Sequence, residues 1–310
     1  MPGPVPWCQI VPNQFIVPLP THSCLLGLAG AASKRQIFEA MGSAESGVAP
    51  SDQMTSQTIR ACDGTLLPSK RLAGAKDLQS DASTLFVFLH GLGERMSHYD
   101  ETSANVNLQK ASIAHSALSI VLFDARGHGA SSGWEGGGPD QFHWRCLGSD
   151  MLQVALAHTA ALVKPWAPSY ILGGCSMGAA AAVWAALLSP RCVRGLVLYM
   201  VPTMWAGRKT RRGALEARAN AVRQTDPVRA DVMLGAARAD FPPREDVERL
   251  AVLIVTARDD PIHPASSAEM LGEIFGSNAR VISNCQAAEA ASMFTLELER
   301  WLQTLDLKSA

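Results

Sequence analysis

From about residue 55 onward, short runs that are apolar at nearly every position alternate with longer, Ala-rich amphipathic segments, and this rhythm constrains the fold more than any other feature. A strand that is apolar without alternation is buried on both faces, which is the situation of a parallel sheet covered by helices. Such runs lie at 85–89, 119–123, 170–172, 195–199 and 252–256, with a last strand expected at 280–283. Between them the spacing predicts helices over 104–117, 146–164, 177–189 (stopped by Pro190) and 266–275. A final helix over 288–305 sets Phe294, Leu298, Trp301, Leu302 and Leu305 on one face, as a helix docking on a sheet requires. The expected class is α/β, with a mostly parallel central sheet, helices on both faces and a helical cap.

The cap is expected at 203–249, a stretch between two strands that is too long for a simple connection and has helical composition. The sheet and its helices then divide into 55–202 and 250–306. The inserted stretch holds ten basic and seven acidic residues, and Arg208, Lys209, Arg211, Arg212, Arg218 and Arg223 crowd its first half. A solvated helix surface is the plainer meaning of these charges. The sharper one is that one or two of them meet a carboxylate on a substrate.

Residues 1–54 read as a disordered leader interrupted by Pro2, Pro4, Pro6, Pro12, Pro18 and Pro20. The stretch 1–38 lacks Asp and Glu but carries Lys34 and Arg35, so organellar targeting stays open beside a cytoplasmic location. Pro18, Pro20 and His22 interrupt the most apolar early run, so no membrane span is expected. With 27 Lys and Arg against 28 Asp and Glu, no overall field would draw nucleic acid or an anionic membrane surface. The seven Cys are scattered without a CxxC pair, and no dinucleotide fingerprint occurs, so neither metal nor organic cofactor is expected and the partner is a small molecule.

Four motifs follow the strands. Gly174-Cys175-Ser176-Met177-Gly178 is a G-x-S-x-G sequence between a strand and an Ala-rich helix. A serine there must turn sharply, and glycines two positions away on each side let neighbouring chains approach. Its hydroxyl would stand above the sheet near a helix N-terminus, whose partial positive charge favours an oxyanion. His90-Gly91-Leu92-Gly93-Glu94 follows the strand at 85–89. The N–H groups of Leu92 and Met177 could together hold a tetrahedral oxyanion, with His90 bracing the loop. The loop Asp124 to Ser131 has an architectural look, with Asp124 and Arg126 able to tie loops together. Asp260, in Asp259-Asp260-Pro261-Ile262-His263-Pro264, stands where an acid orienting a catalytic imidazole belongs, and Asp259 reads as a loop-capping residue.

In this order and spacing the four motifs resemble those of the α/β-hydrolase superfamily over about residues 58–305, and their texture is similar to the capped esterase and lactonase branch that includes 3-oxoadipate enol-lactonases. The resemblance implies hydrolysis of a carboxylic ester or lactone, with Ser176 as nucleophile, Leu92 and Met177 as oxyanion donors, Asp260 as the acid and no cofactor. It also implies a histidine between the last strand and the last helix, where this chain reads Asn284-Cys285-Gln286-Ala287-Ala288-Glu289, with no histidine after His263. Without a base, a serine hydroxyl is a weak nucleophile at neutral pH. Three explanations fit. The base has moved, to His263 by default or to His98 or His143; the fold binds a ligand or partner without turnover; or a segment near Gln286 has been lost from the sequence.

Overall fold

The computed structural model describes residues 56–72, 84–100, 106, 108–115, 118–160, 170–244 and 250–305; the expected leader at 1–54 lies outside them. Eight strands form one sheet: β1 (Ser56–Arg60), β2 (Leu66–Arg71), β3 (Thr84–Leu89), β4 (Leu118–Phe123), β5 (Tyr170–Cys175), β6 (Val193–Tyr199), β7 (Ala251–Ala257) and β8 (Ala279–Cys285). Their order is β1-β2-β4-β3-β5-β6-β7-β8. β2 is antiparallel to both neighbours, and every pairing from β4 to β8 is parallel.

The helices are α1 (Leu108–Ala114), α2 (Trp144–Ala160), α3 (Met177–Leu188), α4 (Arg208–Val222), α5 (Pro227–Arg238), α6 (Ala265–Phe275) and α7 (Ala290–Thr304). Successive side chains of a strand point to opposite faces. Leu85, Val87 and Leu89 of β3 accordingly pack with α2, α3 and α6, whereas Phe86 and Phe88 pack with Leu108 and Ala111 of α1 and with Phe294, Leu298 and Trp301 of α7. Both faces are thus covered, which is why the central strands are apolar at every position. Gly148 lets α2 cross α3 closely, since a Cβ there would come 2.9 Å from both Ala181 O and Ala185 N. The side of the sheet at the carboxyl ends of β3, β4, β5 and β7 carries all four motifs.

The stretch inserted between β6 and β7 forms α4 and α5. Asp226 caps α5, its carboxylate accepting the Arg229 N–H at 2.9 Å, and Pro227 takes the first helical position. Leu215 of α4 packs on Ala236 and Ala237 of α5, and Ala219 packs on Ala230 and Met233. Gly235 seats α5 on the turn Pro139–Phe142, where a Cβ would lie 2.4 Å from Pro139 O.

Two buried histidines make the fold acid-sensitive. Burial, reinforced by the neighbouring His128 ring, lowers His90 from 6.5 to about 3. Burial and then the Arg71 charge lower His158 to about 4. Burial also lowers His128 and His143, so below about pH 6.5 the unfolded chain takes up at least the two protons that His90 and His158 refuse in the native state, and native stability is greatest above that pH and falls as the pH drops toward 4. Each histidine contributes about 2 kcal/mol of loss between about pH 6.5 and pH 5, at roughly 1.4 kcal/mol per pH unit. Urea unfolding across this range is expected to give a falling midpoint, and His158→Gln a shallower fall by about one proton; an unchanged slope in the variant would refute the assignment to His158.

Candidate active site

Ser176 is the single residue between β5 and α3, and its backbone is held at φ 49°, ψ −108°, a left-handed conformation that a side chain resists. The bend is possible because of its two glycines. A Cβ on Gly178 would lie 2.0 Å from Leu89 O, and one on Gly174 would lie 2.5 Å from the same oxygen and 2.4 Å from Gly178 C. Ser176 N–H donates to Tyr199 O at 2.9 Å, fixing the bend to the end of β6.

The loop after β7 brings a carboxylate and an imidazole to this hydroxyl. Asp260 Oδ1 accepts the N–H groups of Ile262 (2.7 Å) and His263 (3.1 Å), an Asx-type turn that curls the chain back before Pro264 opens α6. Asp260 Oδ2 then lies 2.9 Å from His263 Nδ1, and His263 Nε2 lies 2.8 Å from Ser176 Oγ. Burial raises the Asp260 carboxyl, but its bonds with the His263 ring and with the Ile262 N–H outweigh that and hold it below the usual carboxylate range. An ionised Asp260 keeps the proton on Nδ1 and leaves Nε2 to accept the serine hydroxyl. An imidazole in that tautomer can take the hydroxyl's proton. The neighbouring Cys175 does not compete: burial, and then the Glu94 charge, push its thiol up, disfavouring the reactive thiolate.

The Gly-rich turn after β3 packs beside Cys175, and Leu92, Ser176, Met177 and His263 all line one cavity of about 540 Å³. Met177 is the first residue of α3, so its N–H has no intrahelical acceptor. Glu94 folds the turn by accepting from Gly91 N–H (2.7 Å) and from the Tyr99 hydroxyl (2.5 Å). His90 accepts the Ala125 N–H at Nε2 (3.1 Å) and donates from Nδ1 to Gly91 O (2.8 Å), bracing the loop as a neutral ring.

The loop after β4 is tied in the same way. Asp124 accepts from Met96 N–H (2.8 Å) and Ala130 N–H (2.9 Å). Arg126 donates two bonds to Asp150 (2.7 and 2.6 Å) and one to Asp63 (2.7 Å). Asp259 accepts the Ala287 N–H at 2.7 Å, joining the β7 loop to the connection between β8 and α7.

Of the other two histidines weighed from sequence, His143 packs its ring on Trp184 and accepts the Arg145 N–H, and it is not among the residues lining the cavity. His98 lines a second cavity of about 780 Å³ that shares Glu94, Cys175 and His263 with the first. Sequence reasoning raised the cations of the inserted stretch as contacts for a substrate but left open which of them meet the first cavity. Arg208, Arg211, Leu215 and Arg218 of α4 line it with Asp226 and with Arg229 and Val232 of α5.

Residues 80–225 match the family model described as serine aminopeptidase, S33 (Hydrolase_4). The fold is shared with an esterase from Exiguobacterium antarcticum, at a TM-score of 0.60 and 16% identity over 80% of this chain and 100% of that one. It is shared also with an enol-lactonase from Burkholderia xenovorans LB400 (0.58, 17%, over 80% and 100%) and with a thermophilic esterase from Thermogutta terrifontis (0.58, 16%, over 83% and 100%). No curated protein matches the sequence significantly. The eight-stranded, mostly parallel sheet with helices on both faces is the α/β-hydrolase fold that these solved structures share, and residues 80–225 are similar to the hydrolase family model. Among the described residues no helix is long and apolar enough to cross a membrane.

Proposed function

We propose that the protein is a serine hydrolase that cleaves a carboxylic ester or lactone. The reading is carried by the hydrogen-bonded chain from Ser176 Oγ through the His263 ring to Asp260, with bonds of 2.8 and 2.9 Å. Ser176 Oγ attacks the carbonyl carbon as its proton passes to His263 Nε2, and Asp260 stabilises the imidazolium that forms. The negative oxygen of the tetrahedral intermediate is received by the Leu92 and Met177 N–H groups, the latter at the positive end of α3. His263 returns the proton to the departing alkoxide, leaving an acyl group on Ser176. Water then attacks that acyl group with His263 again as base, and the acid is released. The insertion between β6 and β7 acts as a cap, with α4 and α5 forming one wall of the cavity.

A fluorophosphonate probe tests this directly, because it phosphonylates only an activated serine. Labelling of the wild type at Ser176, abolished in Ser176→Ala, is the expected result. Folded protein that takes no label would instead leave a hydrolase fold that binds a small molecule without turnover.

A further inference from the structure

The wall opposite Ser176 has an unusual composition. A surface helix ordinarily turns an apolar stripe inward. The side of α4 that meets the cavity is instead Arg208, Arg211, Leu215 and Arg218, at i, i+3, i+7 and i+10, and Arg229 joins them from α5. The acidic residues lining the same cavity are Glu94 and Asp226, and both are engaged: Glu94 holds Gly91 N–H and the Tyr99 hydroxyl, and Asp226 caps α5. Positive charge therefore exceeds negative around the space where a substrate would lie.

Arg208 is the decisive member. It is only 2% exposed, yet its partners are carbonyls, Ala239 O at 3.0 Å and Ala236 O, together with the face of Trp144 at 4.1 Å. Two of the five N–H groups of a guanidinium are thereby used, and among the described residues no carboxylate forms an ion pair with it. By contrast the buried Arg126 is held bidentately by Asp150. Burial outweighs the Asp240 charge and, with Arg211 and Arg212, lowers Arg208 to about 10, as expected of a buried cation with no carboxylate in direct contact. An unpaired buried charge is costly, and Arg208 lines the cavity where a partner could reach it.

We propose that Arg208, with Arg211 beside it, receives a carboxylate carried by the substrate, so that the ester or lactone cleaved at Ser176 is an acidic one. The inference rests on the hydrolase reading for its chemistry, but the anion site can be tested apart from turnover. Titration calorimetry on the full chain carrying Ser176→Ala, with monomethyl glutarate and then dimethyl glutarate, compares one carboxylate with its neutral counterpart. The acid is expected to bind about 10- to 100-fold more tightly, the range of a charge-assisted bond to a planar guanidinium. Adding Arg208→Met should collapse this ratio to about one, Arg208→Lys should restore part of it, and Arg211→Gln, on a less buried residue, should reduce it about 3- to 10-fold. Arg223→Gln, on an exposed pair with Asp231 outside the cavity, should leave it unchanged.

A purely structural Arg208 would alter stability but not the ratio. Equal binding of the two esters, or a ratio untouched by Arg211→Gln, would overturn the proposal even if Arg208→Met failed to fold. Failure of fluorophosphonate labelling would overturn the hydrolase reading instead, and the calorimetric result would still stand for or against the anion site.

Discussion

Replacing Ser176, His263 or Asp260 is expected to abolish ester hydrolysis while leaving the fold intact. Ser176→Ala and His263→Ala should each lower kcat by at least about 10³-fold, and the double variant should be little worse than either single one, because the two groups act as a unit. Asp260→Asn keeps the shape of the turn but replaces an ionised acceptor with a neutral amide. That change no longer selects the Nδ1–H tautomer of His263, and kcat should fall by about 10²- to 10⁴-fold. Asp260 Oδ1 also accepts two backbone N–H bonds, so Asp260→Ala should lose stability as well as activity, which the Asn variant separates. The measurement is steady-state hydrolysis of a short-chain ester, with circular dichroism confirming the fold. Retention of more than about a tenth of wild-type kcat by His263→Ala would remove His263 from the mechanism and return His98, on the adjoining cavity, to consideration.

How far the sequence discloses this arrangement depends on whether the relevant forces are local. β3, β4 and β7 are buried on both faces, so their apolar runs mark them without ambiguity. β1 and β2 give no such signal. In β2 the inward positions are Leu67, Ser69 and Arg71, and the polar pair is accommodated by His158, whose ring meets Ser69 Oγ at 3.0 Å and whose carbonyl accepts from Arg71 at 3.0 Å. A strand whose buried face is largely polar has no hydrophobic period to read.

The same division holds at the site. The bend at Ser176 is written locally, in two glycines whose missing Cβ atoms are what let β3 approach. The 2.8 Å contact between Ser176 and His263 spans 87 residues and depends on how β5 and β7 are set in the sheet, with β6 between them. Sequence offers only the short tether from Asp260 to His263, and the turn that aims the ring is visible once the Asp260 bonds are known. The inward cations of α4 were equally undecidable, because Arg208 and Arg223 look alike until the helix is seen against the cavity.

The substitution Gly178→Ala is expected to be the most damaging single methyl group that can be added to the chain near the site. The new carbon would lie 2.0 Å from Leu89 O, 2.7 Å from Leu89 C and 2.8 Å from His90 O, all backbone atoms at the end of β3, a central strand paired on both sides. Backbone held in a ladder cannot swing aside as a side chain can, so either α3 or β3 must shift. A loss of about 3–5 kcal/mol is expected, a large share of the total stability of an ordinary domain, with Tm falling by roughly 10 °C or more. The displaced atoms lead straight into Gly91 and Leu92, so the protein that still folds should also have lost activity, with labelling of Ser176 slowed. Gly213→Ala is the matching control. It adds the same carbon in the exposed middle of α4 with nothing within 4 Å, and should stabilise by about 0.5–1 kcal/mol through helix propensity alone. If thermal unfolding gave the two variants similar Tm values, the close approach of α3 to β3 that shapes the Ser176 bend would be wrong.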